Sequence, residues 1–125
     1  MQQQAATAYQ QVGRQTTSPR ELEANLLSKS ASNLQRVRDD WDNMRNRDLV
    51  AALLFNRRLW TVFVSSATRE DSVMPVDLRE NIANLGIFIM KQSISLQAEP
   101  VAQKLDVLIN INRQLAAGLR ANAPA

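Results

Sequence analysis

Apolar residues recur at helical spacing along four segments of the chain. In residues 22–44 the large apolar side chains of one stripe follow one another at intervals of three, four or eight residues. Residues 49–67 carry a stripe within a segment that is apolar on most sides, and residues 78–94 and 101–119 carry two more. No segment alternates between apolar and polar residues over a useful length, as a half-buried strand would. The pattern therefore predicts an all-α protein.

The first helix has a clear start signal. Ser18 is a candidate N-cap, Pro19 suits the first helical position, and Glu21 stands where a capping box requires an acidic residue. We expect a helix of roughly 25 residues to follow. A joint at residues 46–48 then separates it from the second helix, with Asp48 as the next N-cap.

Prolines mark the starts of the two remaining helices. The clearest loop is TREDSVMP at residues 68–75, and its Pro75 opens the third helix, while Pro100 opens the fourth. Gly86 lies inside the third helix, where a glycine costs roughly 1 kcal/mol relative to alanine. We therefore expect Gly86 to mark a close approach between two helices.

These elements predict an antiparallel bundle of four main helices. Residues 18–120 form the bundle domain. Residues 1–17 contain few large apolar residues and are expected to form a short N-terminal arm that is helical or mobile. Residues 121–125 are expected to form a frayed tail.

The composition excludes most catalytic chemistry. The 125 residues include no cysteine and no histidine, so thiol nucleophiles, the commonest general base and the commonest transition-metal ligand are all missing. The three glycines are isolated and cannot form a phosphate-binding loop. Aspartates near the end of the first helix lack the spacing of a cation-binding loop. We expect no enzymatic activity, no metal site and no cofactor.

Charge and hydropathy point to a cytoplasmic protein. The net charge is +3 and no segment forms a basic block, so direct binding to nucleic acid is not expected. The longest apolar runs, such as residues 85–90, are too short to cross a bilayer. The first residues do not resemble a signal peptide. We therefore expect no association with a membrane.

Two asparagines interrupt the apolar stripes of the second and fourth helices. Along its stripe Asn56 lies between Leu53 and Trp60. Asn112 lies in the same way between Leu108 and Leu115. A buried amide without a partner costs about 1–3 kcal/mol. Three arrangements are therefore open. In the first, the two amides form hydrogen bonds within the core, to each other, to a backbone carbonyl or to water. In the second they line a groove that another helix enters, and in the third they turn outward.

The groove alternative defines a candidate partner-binding site. Tryptophan and arginine are enriched at interface hot spots, although a tryptophan on an apolar stripe also serves as core. Tyr9 in the arm either docks back on the bundle or meets a partner. The candidate site combines stripe residues with arginines at the rim and consists of Leu53, Asn56, Arg57, Arg58, Trp60, Asn112, Arg113, Leu115 and Tyr9.

Five runs of the sequence resemble the FlaF family of flagellar biosynthesis regulators. They are AYQ at 8–10, SPRELEANLL at 18–27, LLFNRRLW at 53–60, MPVDLRENIANLGIFI at 74–89 and LININRQLAAGL at 108–119. Each short piece is weak alone, but their order and spacing make the resemblance specific. It covers nearly the whole chain and is least in residues 28–48.

The resemblance implies a role in flagellar assembly in alphaproteobacteria. Members of the family promote flagellin production and secretion, bind flagellin in the manner of an export chaperone, and oppose FlbT, which represses translation of flagellin mRNA. It therefore implies flagellin as a partner, with FlbT as a further candidate. The mechanism we expect is capture of an amphipathic flagellin helix in the groove. The alternative is a regulator that acts on flagellin mRNA, directly or through FlbT.

Overall fold

A computed structural model describes residues 18–121 of the chain. Within this range the chain forms four α-helices and no strand, which confirms the all-α prediction. The predicted arm at residues 1–17, with Tyr9, and residues 122–125 of the predicted tail lie outside the described range. The helices are α1 Pro19–Asp39, α2 Asn46–Thr68, α3 Val76–Ala98 and α4 Gln103–Ala121.

Helix α1 begins as the sequence predicts and ends earlier. Ser18 is the N-cap, and its hydroxyl accepts a hydrogen bond from the backbone N–H of Glu21 at 3.3 Å. The helix ends at Asp39, so Trp41 lies in the following turn, which is closed by a hydrogen bond from the Met44 N–H to the Asp40 carbonyl. Trp41 and Met44 still pack against the core from this turn. Because Trp41 and Met44 follow the earlier apolar residues at helical spacing, the pattern in the sequence extends beyond the residue at which the helix ends.

Two predicted helix starts are wrong by a few residues. Asp48 is not the N-cap of α2 but its third residue, and its carboxylate accepts a hydrogen bond from the Arg45 N–H at 3.0 Å. An acidic residue at this position satisfies an N–H at the positive end of the helix. Pro100 does not open α4, because the chain first makes a turn in which the Val101 carbonyl accepts from the Lys104 N–H.

The four helices form an antiparallel bundle in which neighbours in sequence are also neighbours in space. Helix α4 closes the ring by packing against α1, and this is the most extensive contact between two helices. Helix α3 packs well against α2 and least against α4. The end of α1 meets the start of α4 through Arg38 and Asp106, at 3.0 Å, which fixes the antiparallel direction of that pair.

The core runs along the centre of the bundle and draws on all four helices. Gly86 of α3 is buried beside α2, and a Cβ atom at this position would overlap Val64 Cγ2. The predicted close approach at Gly86 is therefore confirmed. The largest fully buried apolar side chains are Leu27, Leu34, Leu49, Leu53, Trp60, Ile82, Ile89, Leu96, Leu105 and Leu108.

Candidate functional site

Four polar side chains meet at the centre of the bundle, and we call this set, Ser30, Asn56, Trp60 and Asn112, the polar layer. Each of the four residues has an exposed fraction of 0%. Asn56 Oδ1 accepts from Ser30 Oγ at 2.8 Å and from Asn112 Nδ2 at 2.7 Å. Asn112 Oδ1 accepts from Trp60 Nε1 at 2.9 Å. The polar layer therefore joins α1, α2 and α4.

The indole of Trp60 fixes the direction of these hydrogen bonds. An indole N–H can only donate, so the atom of Asn112 that faces it must be the carbonyl oxygen. The amide nitrogen of Asn112 must then face Asn56, which presents its own oxygen. One tryptophan thus sets the orientation of both amides, which gives the polar layer a single consistent arrangement.

The side-chain NH₂ group of Asn56 has no hydrogen-bond partner in the described part of the chain. Among residues 18–121 no acceptor lies within hydrogen-bond reach of the buried Asn56 Nδ2. An unpaired buried donor costs about 1–3 kcal/mol. Three hydrogen bonds of the polar layer therefore stabilise the fold, and the unpaired amide of Asn56 opposes them. The three hydrogen bonds also specify how the helices align.

The structure places much of the predicted partner-binding site inside the core. Leu53 and the polar-layer residues Asn56, Trp60 and Asn112 have no exposed surface, so the two asparagines are core amides that bond each other. They do not line an open groove in the free chain. Leu115 is half-buried on the surface of α4.

The predicted arginine rim is divided between two flanks of the bundle. Arg113 lies seven residues from Asp106 and from Arg120, both of which contact α1, so these three share the α1 flank of α4. Arg57 lies seven residues before Val64, which meets α3, so Arg57 is on the α3 flank of α2. Arg58 is exposed beside it. The three arginines therefore do not surround one groove.

An apolar groove runs between α2 and α3, and we call it the α2–α3 groove. Its volume is about 370 Å³ and the buried Trp60 lies at its bottom. Two of its side chains are largely exposed, Ile87 at 58% and Ile94 at 62%. The full lining is Trp60, Thr61, Val64, Ser65, Ala83, Gly86, Ile87, Met90, Lys91 and Ile94.

Sequence reasoning missed the α3 wall of this groove. The apolar stripe predicted over residues 78–94 ends at Ile94, and Ile87 has no predicted role. The available signal was the run LGIFIM at residues 85–90, in which five apolar side chains within six residues must cover more than one face of a helix. Only one face of the helix can reach the core, so the apolar side chains on its other faces remain outside the core.

A second groove runs on the other side of α3, between α3 and α4, and we call it the α3–α4 groove. Its walls carry the half-buried apolar side chains of Leu78, Leu85, Ile111 and Leu115, and it reaches Leu119. Because α3 and α4 make the least contact of any neighbouring pair, these side chains are not fully covered by the facing helix. Leu115 of the predicted site belongs to this groove.

The end of the α3–α4 groove adjoins a further cavity at the start of α1, and the two share Arg20, Leu78 and Leu119. Ser18, Pro19, Glu23 and Leu119 are among its lining residues. Burial raises the pKa of the Glu23 carboxyl above its ordinary value of 4.5, and the nearby charge of Arg20 opposes this effect. The ionised form of Glu23 is therefore less favourable here than in water.

No described residues form a recognisable metal site. In residues 18–121 there is no group of three or more acidic side chains that could hold an ion. None of the helices in the same range has the length and apolar character needed to span a bilayer. Besides the cavity at the start of α1, two apolar grooves flank α3 on the described surface, and the polar layer lies beneath them.

Comparison with known proteins identifies the family. The model of a family described as flagellar protein FlaF matches residues 5–119, which is most of the chain. No curated protein and no solved structure matches the chain. The matched range includes all of α1, α2 and α3 and nearly all of α4. The chain therefore belongs to the FlaF family of flagellar proteins.

Proposed function

We propose that this protein binds unassembled flagellin in the cytoplasm and acts as its chaperone, thereby promoting flagellin synthesis and secretion. The observation that carries the proposal is the apolar α2–α3 groove with Ile87 and Ile94 exposed on it. A flagellar protein with an uncovered apolar groove between two helices is suited to hold an amphipathic helix. The activity is binding, without catalysis.

The dimensions of the α2–α3 groove suit a short helical segment. Ala83 and Ile94 lie at its two ends on α3, about 16 Å apart at 1.5 Å per residue. A helix of about three turns covers this distance and presents apolar anchors at positions i, i+4 and i+7. Gly86 lies between the two ends, and its missing side chain lets Val64 on the opposite wall approach α3 closely.

The expected affinity is moderate. Complete burial of an aliphatic side chain contributes roughly 1.5–3 kcal/mol. At their present exposure Ile87 and Ile94 can each contribute about 1–2 kcal/mol when covered. Part of this gain offsets the ordering of the partner segment, so moderate rather than tight binding is expected, and release before export remains easy.

The cations beside the groove favour a partner helix with acidic residues at its edge. Lys91 lines the groove, and Arg57 lies one turn before the lining residue Thr61 on the α3 flank of α2. Both can pair with carboxylates at the margin of a bound helix. Exposed ion pairs contribute little affinity, so the main effect of these two cations is on the orientation of the bound helix.

The test is calorimetric titration of the full chain with monomeric flagellin. Ile87→Asp and Ile94→Asp should each weaken binding at least tenfold, about 1.4 kcal/mol, because each places a charge in the apolar groove. Val62→Asp is the matched control, since Val62 is 65% exposed and lies seven residues after Phe55, which faces α1. Val62→Asp should leave the affinity unchanged, and circular dichroism checks that each variant is folded.

Two results would overturn the proposal. The first is the absence of binding to flagellin, together with salt-sensitive binding to flagellin mRNA or binding to FlbT, which would favour the regulator alternative. The second is an equal loss of affinity in Val62→Asp and Ile94→Asp, which would show that flagellin does not recognise the α2–α3 groove.

A further inference from the structure

The side of α2 that faces away from the core carries a row of exposed residues, which we call the outer stripe. Its members follow one another at intervals of three or four residues, so they lie along one line on the helix surface. The outer stripe shares no residue with the lining of the α2–α3 groove and is therefore a separate surface. It consists of Arg47, Val50, Leu54, Arg58 and Val62, all of them exposed.

The two arginines of the outer stripe form no ion pair with any carboxylate of residues 18–121. Asp48 is the single acidic residue of α2, and its carboxylate accepts a hydrogen bond from the Arg45 N–H. Arg47 and Arg58 are eleven positions apart, which is about three helical turns and about 16 Å. The outer stripe therefore offers a partner two cations at a spacing that the helix fixes.

Apolar side chains lie between and beyond the two arginines. Val50 and Leu54 are each more than one third exposed, and Val62 is 65% exposed. Single exposed apolar residues are common on protein surfaces and need no partner. Three of them in one row with two unpaired arginines form a different pattern, because one ligand that is both apolar and acidic can use every side chain of the row.

We propose that the outer stripe binds an acidic amphipathic helix of another protein. The carboxylates of this helix lie about three turns apart and pair with Arg47 and Arg58, while apolar side chains between them cover Leu54. A row at intervals of four residues is the kind of ridge that packs into the groove of a neighbouring helix. Arginine suits this role, because its guanidinium pairs with a carboxylate through two parallel hydrogen bonds.

A second copy of the chain, an anionic membrane and RNA fit the outer stripe less well. Two copies that pair through this surface bring their arginines together, and like charges across an interface disfavour such a dimer. Helices that lie on a membrane carry their cations on the face opposite the apolar one, whereas the outer stripe has both in one row. RNA phosphates pair with clustered cations and make no use of the exposed valines.

The test uses the full chain and a synthetic helical peptide, without flagellin. The peptide carries glutamate pairs about three turns apart with leucines between them on the same face. A control peptide of the same composition has its glutamates on the face opposite the leucines. Fluorescence anisotropy should show saturable binding of the first peptide and binding at least tenfold weaker for the control peptide.

A matched pair of charge reversals locates the binding surface. Arg58→Glu should weaken binding of the first peptide at least tenfold, because repulsion replaces an ion pair. Arg113→Glu makes the same change of charge at an exposed position of α4, diagonally opposite α2, and should leave the affinity unchanged. A peptide with arginines in place of the glutamates that face Arg58 should bind the Arg58→Glu chain better than the natural chain. Circular dichroism checks that each variant is folded.

A second pair of variants separates this proposal from flagellin binding. Val62→Asp should weaken binding of the acidic peptide at least tenfold, and Ile94→Asp in the α2–α3 groove should leave it unchanged. The opposite pattern is expected for flagellin. Each proposal thus has its own ligand and its own sensitive variant, so either one can fail while the other stands.

Four results would contradict the proposal. One is the absence of saturable peptide binding, and another is an equal loss of affinity in Arg58→Glu and Arg113→Glu, which would indicate general charge attraction. A third is binding that Arg58→Glu abolishes, but to vesicles of phosphatidylcholine and phosphatidylserine or to polyuridylate instead of the peptide, which would assign the outer stripe to a membrane or to RNA. The fourth is a dimer in analytical ultracentrifugation that Val62→Asp dissociates, which would assign it to a second copy.

Discussion

Helix α3 is held in the bundle differently from the other three helices. The polar layer joins α1, α2 and α4 through Ser30, Asn56, Trp60 and Asn112. Helix α3 adds no side chain to it, since the hydroxyl of its buried Ser93 donates to the Ile89 carbonyl of the same helix. Three helices are thus aligned by directional bonds, whereas α3 is attached to the centre by apolar packing alone.

The surface contacts show the same difference. Helices α1 and α4 are joined at both ends, by Arg38 with Asp106 and by Arg120 with Asn25, and they share the most extensive contact in the bundle. Helix α3 is hydrogen-bonded to α4 near one end, where Lys104 Nζ donates to Ser95 Oγ at 2.9 Å, and it has an apolar groove on each side. Directional bonds among three helices let the fourth expose apolar surface without loss of a defined alignment, and this is the property that a helix-binding protein requires.

The largest predicted effect comes from breaking the polar layer. Asn112→Leu keeps the branched shape and the number of heavy side-chain atoms but leaves the Trp60 indole N–H buried without an acceptor and removes the donor to Asn56. We expect the free energy of unfolding to fall by about 3 kcal/mol, since each unsatisfied buried group costs about 1–3 kcal/mol. Urea denaturation followed by circular dichroism measures it.

Ser93→Ala is the control for this substitution. Like Asn112→Leu it removes a fully buried polar group, but the Ser93 hydroxyl bonds only within its own helix. The free energy of unfolding should therefore fall by less than about 1 kcal/mol. Equal costs for Asn112→Leu and Ser93→Ala would show that the polar layer has no special role and would remove the distinction between α3 and the other helices.

Much of the fold was accessible from the sequence. Apolar spacing predicted four helices, Ser18 was identified as a cap, and Gly86 was assigned to a close helix approach. These features depend on local chemistry or on helical period, which one sequence displays directly. The ends of helices were less accurate, because Trp41 packs on the core from a turn and so resembles a helical residue in the pattern.

The candidate site was less predictable. The pairing of Asn56 with Asn112 was among the alternatives, but choosing it required knowing that α2 and α4 face each other across the centre. The division of the arginines between two flanks follows from how the helices are arranged around the bundle, which periodicity does not contain. The exposure of Ile87 and Ile94 depends likewise on how closely α2 and α3 approach.

An intermediate effect is expected in hydrogen exchange. Because α3 lacks bonds to the polar layer and makes the least contact with α4, its buried amides should open more readily than those of α1. We expect Ile89 to exchange at least tenfold faster than Leu34 after correction for intrinsic rates, about 1.4 kcal/mol in opening free energy. Both side chains have an exposed fraction of 0%, so surface access does not bias the pair. Equal exchange rates for Ile89 and Leu34 would indicate that α1 and α3 open together as one cooperative unit.

The smallest effect concerns the attachment of α3 to α2. Gly86→Ala favours the helix by about 1 kcal/mol through backbone propensity, but its Cβ overlaps Val64 Cγ2, and overpacking costs about 1–3 kcal/mol. We expect a net loss of about 1 kcal/mol in thermal or urea unfolding. In a Val64→Ala background the overlapping methyl is absent, so Gly86→Ala should instead stabilise the protein. The change of sign is the decisive result, since propensity alone predicts stabilisation in both backgrounds. A stabilising Gly86→Ala in the natural chain would mean that α3 can move away from α2 at no cost, and that its position is even less constrained than its packing indicates.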